Sequence, residues 1–505
     1  MYFVGRQERI NVQLLFEKLD SYGQSDIYPY HMPGHKRNGW GGLPAELYQK
    51  DITEIEGFDN LHRPEGILLE LQKKAASLYG AEESFYLVNG SSCGVLSAVS
   101  AALPRGGHLL MARNCHRSAY HAAYLRNLFV SYLWPDVLTH YDIFDAVTPE
   151  QVRDALEEKP DIGAVLIVSP TYEGRIADIR GIAEIAHQKG IPLIVDEAHG
   201  AHLGLSPEVH ENSCRLGADI VIHSVHKTLP ALTQTALLHV NGKLVNRALL
   251  KRFLHIYQSS SPSYLLMASI DNALTYMERD GEAAYAIFKA RYRKLLDSLT
   301  ACRKLQFVPF RQEKQDLGKL VISVKNTDIS GRQLYDILLN KYHLQMEMAA
   351  RSYVLAMFTV NDREEGYERL CSALLEIDGQ LASYSAMDQE TQTKAAVNVR
   401  DPEATEGLFA DIWEKEAVKR QLAADWDREA EERALQDAVG CRAGEFLELY
   451  PPGVPVLVPG EKITGEMIQK IQDWSKFGLN LQGIIRKEEG PFIRVMRSED
   501  GKGDL

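Results

Sequence analysis

Residues 191–199 read IPLIVDEAH, an apolar run (Ile191, Leu193, Ile194, Val195) that ends in Asp196, Glu197 and His199. A short run with no polar alternation reads as a strand buried on both faces. Outward from it the same pattern repeats. GAVLIVSP (163–170) is an apolar strand, IRGIAEIAHQKG (179–190) an amphipathic helix, and ADIVIHSVH (218–226) and TALLHV (235–240) are further strands. Upstream, EGILLELQKKAASLYG (65–80) reads as a helix, ESFYLV (83–88) as a strand, SSCGVLSAVSAAL (91–103) as a helix, GHLLMA (107–112) as a strand and AYHAAYLRNL (119–128) as a helix. Apolar strands interleaved with helices predict a doubly wound α/β domain with a mostly parallel sheet, and its ligands belong at the carboxyl ends of the strands.

The rest of the chain is organised around that domain. Val12, Leu15, Phe16 and Leu19 predict a short helix within residues 8–20, followed by a Gly-, Pro- and aromatic-rich stretch, SYGQSDIYPYHMPGHKRNGWGG (21–42). A long helical pattern over about 268–305 leads to a second unit in which GKLVISVKN, GRQLYDILLNKY and YVLAMFTV alternate strand, helix and strand. Residues 386–440 are polar and charged with helical stretches. The proline-broken GEFLELYPPGVPVLVPGEKIT (444–464) is an edge strand or a loop. The expected divisions are 1–63, an N-terminal helix and active-site loop; 64–267, the large α/β domain; 268–385, the bridging helix and a small α/β domain; and 386–505, a C-terminal domain with a flexible tail.

Composition narrows the function. The net charge of −13 is spread along 505 residues with no basic stripe, which argues against nucleic acid as a partner. No stretch reaches the ~18 apolar residues of a membrane span, and MYFVGRQERI lacks a secretory h-region. Six cysteines (Cys93, Cys115, Cys214, Cys302, Cys371, Cys441) stand singly, without metal or disulfide spacing, as in a cytoplasmic protein.

Three motifs stand at predicted strand ends. LVNGSSCG (87–94) puts Ser91 and Ser92 at a helix start, either an ordinary cap or a cup of free N–H groups for an anion. Asp196 suits a metal shared with histidines, a helix cap, or a protonated ring nitrogen. Lys227, in IHSVHKTLP (222–230), is either a solvated lysine where a strand ends or an amine held for a Schiff base. No GxxxxGK[ST] loop accompanies DEAH, so an ATPase reading falls away. Together, a phosphate cup, an acid for a pyridine nitrogen and a Schiff-base lysine are the parts a pyridoxal phosphate enzyme needs.

From about residue 27 to 463 the chain resembles the Orn/Lys/Arg decarboxylases. The resemblance rests on YHMPGHKRN (30–38), DITEIEGFDNLHRPEG (51–66), VNGSSCG, RNCHRSAYHA (113–122), SPTYEGRIADI (169–179), VDEAHGAH (195–202), HSVHKTLPALTQTA (223–236), QSSSPSY (258–264) and YPPGVPVLVPGE (450–461), in family order. It implies the aspartate aminotransferase fold, fold type I of the pyridoxal phosphate enzymes, and decarboxylation of a basic amino acid, with arginine first and lysine second. Lys227 would carry the cofactor, Asp196 pair with its ring nitrogen, His116 stack on the ring and His199 lie along its edge. Ser91, Ser92, Ser224 and His226 would contact the phosphate, with Ser260 reaching it from a neighbouring subunit. The proton donor to the α-carbon stays open among Lys227, His199 and His202. Glu445 is the first candidate for the substrate's distal cation, followed by Asp59, Asp51 and Glu54; no metal is implied. The large members of the family carry an N-terminal wing, and here the HMPGHK loop begins after about thirty residues, so a homodimer with a shared active site is expected. An aminotransferase or aldolase, with Arg351 as carboxylate clamp, and a catalytically silent binding protein are the rivals.

Overall fold

The computed structural model describes residues 14–38, 43–308, 314–381, 419–449, 453–476 and 478–497. Residues 8–13 of the predicted first helix, 386–418 of the polar segment, the YPP of YPPG and the last residues, 498–505, of the expected C-terminal domain with its flexible tail lie outside them.

Seven strands form the central sheet: β1 (Glu83–Leu87), β2 (His108–Ala112), β3 (Phe129–Leu133), β4 (Ala164–Val168), β5 (Leu193–Asp196), β6 (Ile220–Ser224) and β7 (Ala236–Val240). Their spatial order is β1-β7-β6-β5-β4-β2-β3, and Arg420–Gln421 adds an eighth strand outside β3. From β6 through β5, β4 and β2 to β3 every pairing is parallel, while β7 runs antiparallel to both β6 and β1. The largely apolar strands β2, β5, β6 and β7 are buried along their whole length, as a sheet covered on both faces requires.

Helices supply the cover. The helix Leu15–Gly23 (α1) buries Leu15 and Leu19, and Ile67–Tyr79 (α2) packs against β1. Gly90–Ala102 (α3) lies on β6 and β7, and Arg117–Leu125 (α4) lies beside it. In Ile179–Gln188 (α5), Ile179, Ile182, Ala183, Ile185 and Ala186 form the buried stripe, and Asp178 caps the first turn by accepting from the Gly181 N–H at 3.0 Å. The long helix Tyr264–Leu299 (α6) starts four residues before the predicted point because the Ser263 hydroxyl caps it.

Beyond α6 lies a four-stranded antiparallel sheet in which β8 (Lys319–Ser323) and β9 (Tyr353–Met357) are flanked by Gln306–Phe307 and Met348–Ala349. The C-terminal residues form two three-stranded sheets. In one, Val454–Leu457 is an edge strand, which accommodates Pro455. In the other, Ala430–Ala434 is a strand where polar sequence suggested helix; it pairs with Gly490–Met496, whose Ile493 and Val495 are buried, so tertiary pairing overrides local propensity. The C-terminal part is not separate from the large sheet, since Arg420 and Gln421 pair with Val130 and Phe129. No described helix is long and apolar enough to cross a membrane.

Candidate active site

The carboxyl ends of β4, β5 and β6 open into a chamber of about 550 Å³. Parallel register sets Val168 beside Asp196 and Asp196 beside Ile222, so the strand ends reach one level. Asp196 is buried, and one of its oxygens accepts from the Ala198 N–H at 3.2 Å. Burial lifts its carboxyl above the ordinary value, against the opposing pull of Lys227.

At the end of β6, Ser224 is fully buried and donates its hydroxyl to Ser91 Oγ at 2.8 Å. Ser91 and the exposed Ser92 lie in the first turn of α3, whose leading N–H groups have no intrahelical partner. Gly90 makes the turn from β1 into that helix at φ +73°, a conformation a side chain would strain. The result is a cup suited to an anion. His226 donates Nδ1–H to the Thr235 carbonyl at 2.9 Å, which leaves Nε2 as its free nitrogen. Burial lowers the affinity of this ring for a second proton.

Lys227 lies in the single helical turn Val225–Thr228, and its Nζ is 3.0 Å from His199 Nε2. Burial pushes the amine below its ordinary value, while Asp196 and Glu347 pull the other way. His116 caps α4, its Nδ1 accepting from the Ser118 N–H at 3.2 Å. With Nδ1 accepting, the proton sits on Nε2. Burial, with Lys227 and Arg117 nearby, holds this ring at about 3, so it is uncharged at neutral pH. Both ring nitrogens of His199 face lysine amines, which disfavours the reading of Asp196 and this histidine as a metal pair.

Lys227, Asp196, His116, His199, Ser91, Ser92, Ser224 and His226 thus meet in one chamber. Other expected residues do not line it. Asp59 spends its carboxylate on the N–H groups of Glu65, Gly66 and Leu68 at the start of α2. Glu445 accepts from the Phe446 N–H at 2.9 Å, and Asp51 faces His35 at 3.2 Å. Glu54, Arg351 and the exposed Ser260 are likewise outside the lining.

The chamber also holds groups that sequence reading left without a role. Glu173 and Glu347 are its other carboxylates, Tyr172 and Tyr353 line it, and Asn114 Oδ1 is buried with no hydrogen-bond partner among the described residues. Tyr353 donates to Glu173 at 2.9 Å, and Tyr172 donates to Glu347. Glu173 stands in the signature SPTYEGR and Glu347 in EMAARSYVL, so their neighbourhoods were visible in the sequence although their partners were not.

An anion cup, a buried carboxylate, a neutral imidazole and a desolvated amine suit a planar, phosphorylated aldehyde with a basic ring nitrogen. The orphaned Asn114 oxygen adds an unmet polar contact for a bound group. The chain is 30% identical to an arginine decarboxylase of Bacillus subtilis over 93% of its own length and 95% of the relative's. It is 28% identical to an arginine decarboxylase of Halalkalibacterium halodurans over 96% and 98%. Its fold superposes on a lysine decarboxylase of Francisella novicida with a TM-score of 0.77 at 18% identity, covering 96% of this chain and 81% of that one. Residues 14–316 match the model of the Orn/Lys/Arg decarboxylase major domain. With strand order, chamber and full-length relatives in agreement, the chain belongs to the Orn/Lys/Arg decarboxylase family.

Proposed function

We propose that this protein decarboxylates a basic amino acid with pyridoxal 5′-phosphate, arginine to agmatine first and lysine to cadaverine second. The observation that carries the reading is the convergence of Lys227, Asp196 and the Ser91–Ser224 cup at neighbouring strand ends. The choice of arginine is supported by the names of the full-length relatives.

Bound pyridoxal phosphate supplies an electron sink for the pair left on the α-carbon when CO₂ departs. The residues of the chain account for the rest. Ser91, Ser92, Ser224 and His226, with the leading N–H groups of α3, would hold the phosphate. Asp196 is the carboxylate that would keep the cofactor's ring nitrogen protonated, and that cationic partner would offset the burial that lifts it when alone. His116 offers a neutral face for stacking. Lys227 is the amine that exchanges with substrate, and desolvation keeps it nucleophilic. His199, 3.0 Å from that amine, is placed to pass a proton to or from it.

The distal cation falls to Glu347, which lines the chamber yet is exposed and so lies on its open side, with Glu173 deeper and buried. A carboxylate meets a guanidinium through two parallel hydrogen bonds and an ammonium through one. No arginine lines the chamber among the described residues, so the carboxylate clamp of an aminotransferase has no counterpart there. The exposed Ser260 acts from the second subunit of a homodimer, and free cysteines fit a cytoplasmic protein.

Incubating the purified protein and cofactor separately with arginine, lysine and ornithine tests the reading. Agmatine with CO₂ from arginine is expected to exceed cadaverine or putrescine. Keto acids without CO₂ would replace it with transamination.

A further inference from the structure

Beside the residues of the chamber, one hydrogen-bonded line crosses four neighbouring strands through side chains that the proposed chemistry does not use. Glu197 Oε2, just after β5, is 2.7 Å from His223 Nε2 on β6. His223 Nδ1 is 3.1 Å from His239 Nε2 on β7, and His239 Nδ1 is 2.6 Å from Ser84 Oγ on β1. Glu197 and both rings are buried, whereas Ser84 lines a second cavity of about 580 Å³ that shares no lining residue with the chamber.

Each ring is hydrogen-bonded at both nitrogens, and a neutral imidazole has one N–H and one lone pair. Two arrangements of neutral rings therefore satisfy all three bonds. In the first, Ser84 donates to His239 Nδ1, His239 Nε2–H to His223 Nδ1, and His223 Nε2–H to an ionised Glu197. In the second every bond is reversed. A protonated Glu197 donates to His223 Nε2, both rings carry their proton on Nδ1, and Ser84 accepts from His239 and turns its own hydroxyl toward the cavity. The two forms differ by one proton, and both keep the bonds that Ser213 donates to Glu197, from its N–H at 3.2 Å and its hydroxyl at 2.6 Å.

A third form, with Glu197 ionised and His239 cationic, would bury two opposite charges with a neutral ring between them, which desolvation penalises. The other titratable groups stand outside the line. Tyr79 packs on His223 and His239 with centroids 4.8 and 4.7 Å away, and it spends its hydroxyl on the Ala201 carbonyl. His202 faces both Glu197 and His223 but is committed to Asp316, His210 faces Glu197, and Cys214 is a buried thiol pushed up by its surroundings. Burial lifts Glu197 to about 8 and holds His223 at about 3, in keeping with neutral rings.

We propose that Ser84, His239, His223 and Glu197 form a proton relay, in which one proton taken up from water in the second cavity reaches Glu197 through a joint tautomer change of both histidines. The cavity proton joins Ser84 Oγ as the serine's own proton passes to His239 Nδ1. The Nε2 proton of His239 moves to His223 Nδ1, and the Nε2 proton of His223 moves to Glu197. Glu197 follows Asp196 and His223 precedes Ser224, so the bond that reverses joins the ends of the two strands that carry them. The inference goes beyond the proposed function and does not rest on it.

Solid-state NMR of the full-length protein labelled with ¹⁵N-histidine, between about pH 5 and pH 10, spans the range of buried carboxyls of this kind. The two rings identify each other through the nitrogen–nitrogen correlation across their shared bond. Both are expected to change from Nδ1–H to Nε2–H with one midpoint as pH rises. A cationic ring, one ring changing alone, or no change in that range overturns the proposal. In infrared spectra of ¹³C-glutamate-labelled protein, a carboxylic acid band is expected to disappear with the same midpoint and to be missing from E197Q, whose rings keep one tautomer at every pH. A tautomer change that persists in E197Q also overturns it. After a downward pH jump, S84A is expected to regain the acid band about a hundredfold more slowly than the unmodified chain, the scale of a positioned proton-transfer group. An equal rate would place the entry elsewhere and overturn the relay. The tautomers are read on the unmodified chain, so a variant that fails to fold leaves the test intact.

Discussion

Arg113 and Glu461 face each other across 348 residues of sequence, with Nε to Oε1 at 3.1 Å and Nη2 to Oε2 at 2.9 Å. The arginine side chain is wholly buried, and it also donates to the carbonyls of Pro455 and Val456. The pair ties the strand Val454–Leu457 to the end of β2, next to His116, and Val454 and Leu449 line the chamber. Removing one partner of a buried pair leaves the other charge uncompensated. E461A is expected to lower stability by about 3–5 kcal/mol, read by denaturant unfolding. A loss below 1 kcal/mol would mean that the carbonyl contacts alone hold the segment.

His202 and Asp316 make a second tie, at 2.8 Å with both side chains buried, between the loop after β5 and the start of β8. Asp316 lies below its ordinary value of 3.8 because His202 and the Gly318 N–H outweigh its burial. A depressed carboxylate contributes stability that is full above the unfolded value and is lost as pH falls through the folded one. D316N is therefore expected to cost about 2 kcal/mol near neutral pH, with the difference from the unmodified chain shrinking below about pH 4. Urea midpoints measured across that range check the sign. A deficit that grows on acidification refutes it.

Asp59 accepts from the backbone N–H groups of Glu65, Gly66 and Leu68 at the start of α2 while sitting at φ +70°. Its work is structural. D59A is expected to lose about 2 kcal/mol in thermal or denaturant unfolding, and D59N to recover part of it, because asparagine tolerates that φ.

Glu347 and Glu445 separate in kinetics. With Glu347 at the distal cation, E347Q is expected to raise KM for the preferred basic amino acid by about tenfold or more, the loss of a charged hydrogen bond. E445Q should leave KM within about twofold, since Glu445 does not line the chamber. The reverse pattern would move the specificity contact to the C-terminal segment.

How far the site was legible depends on how local its signals are. Lys227, Asp196 and Ser91 each end a buried apolar strand or begin the next helix, so hydrophobic pattern and strand-end chemistry pointed to them. Lys319 reads as an ordinary strand residue in GKLVISVKN, because its partner His199 lies 120 positions away and only the meeting of the loops after β4 and β5 with the start of β8 brings them together. The antiparallel course of β7 was hidden for a related reason. A strand buried on both faces has the same pattern in either direction. Charged Ala430–Ala434 owes its strand form to Gly490–Met496, far along the chain, and Asp59 looked like a substrate contact because its backbone partners leave no mark in sequence.

Lys227 as the cofactor-bearing amine can be read in a single experiment, borohydride reduction of the protein reconstituted with pyridoxal phosphate, followed by peptide mapping. The pyridoxyl group is expected on Lys227, with the labelled peptide absent in K227A. A pyridoxyl group on Lys319, the other buried lysine at His199, or no stable adduct at all, would show that the chamber does not work as proposed.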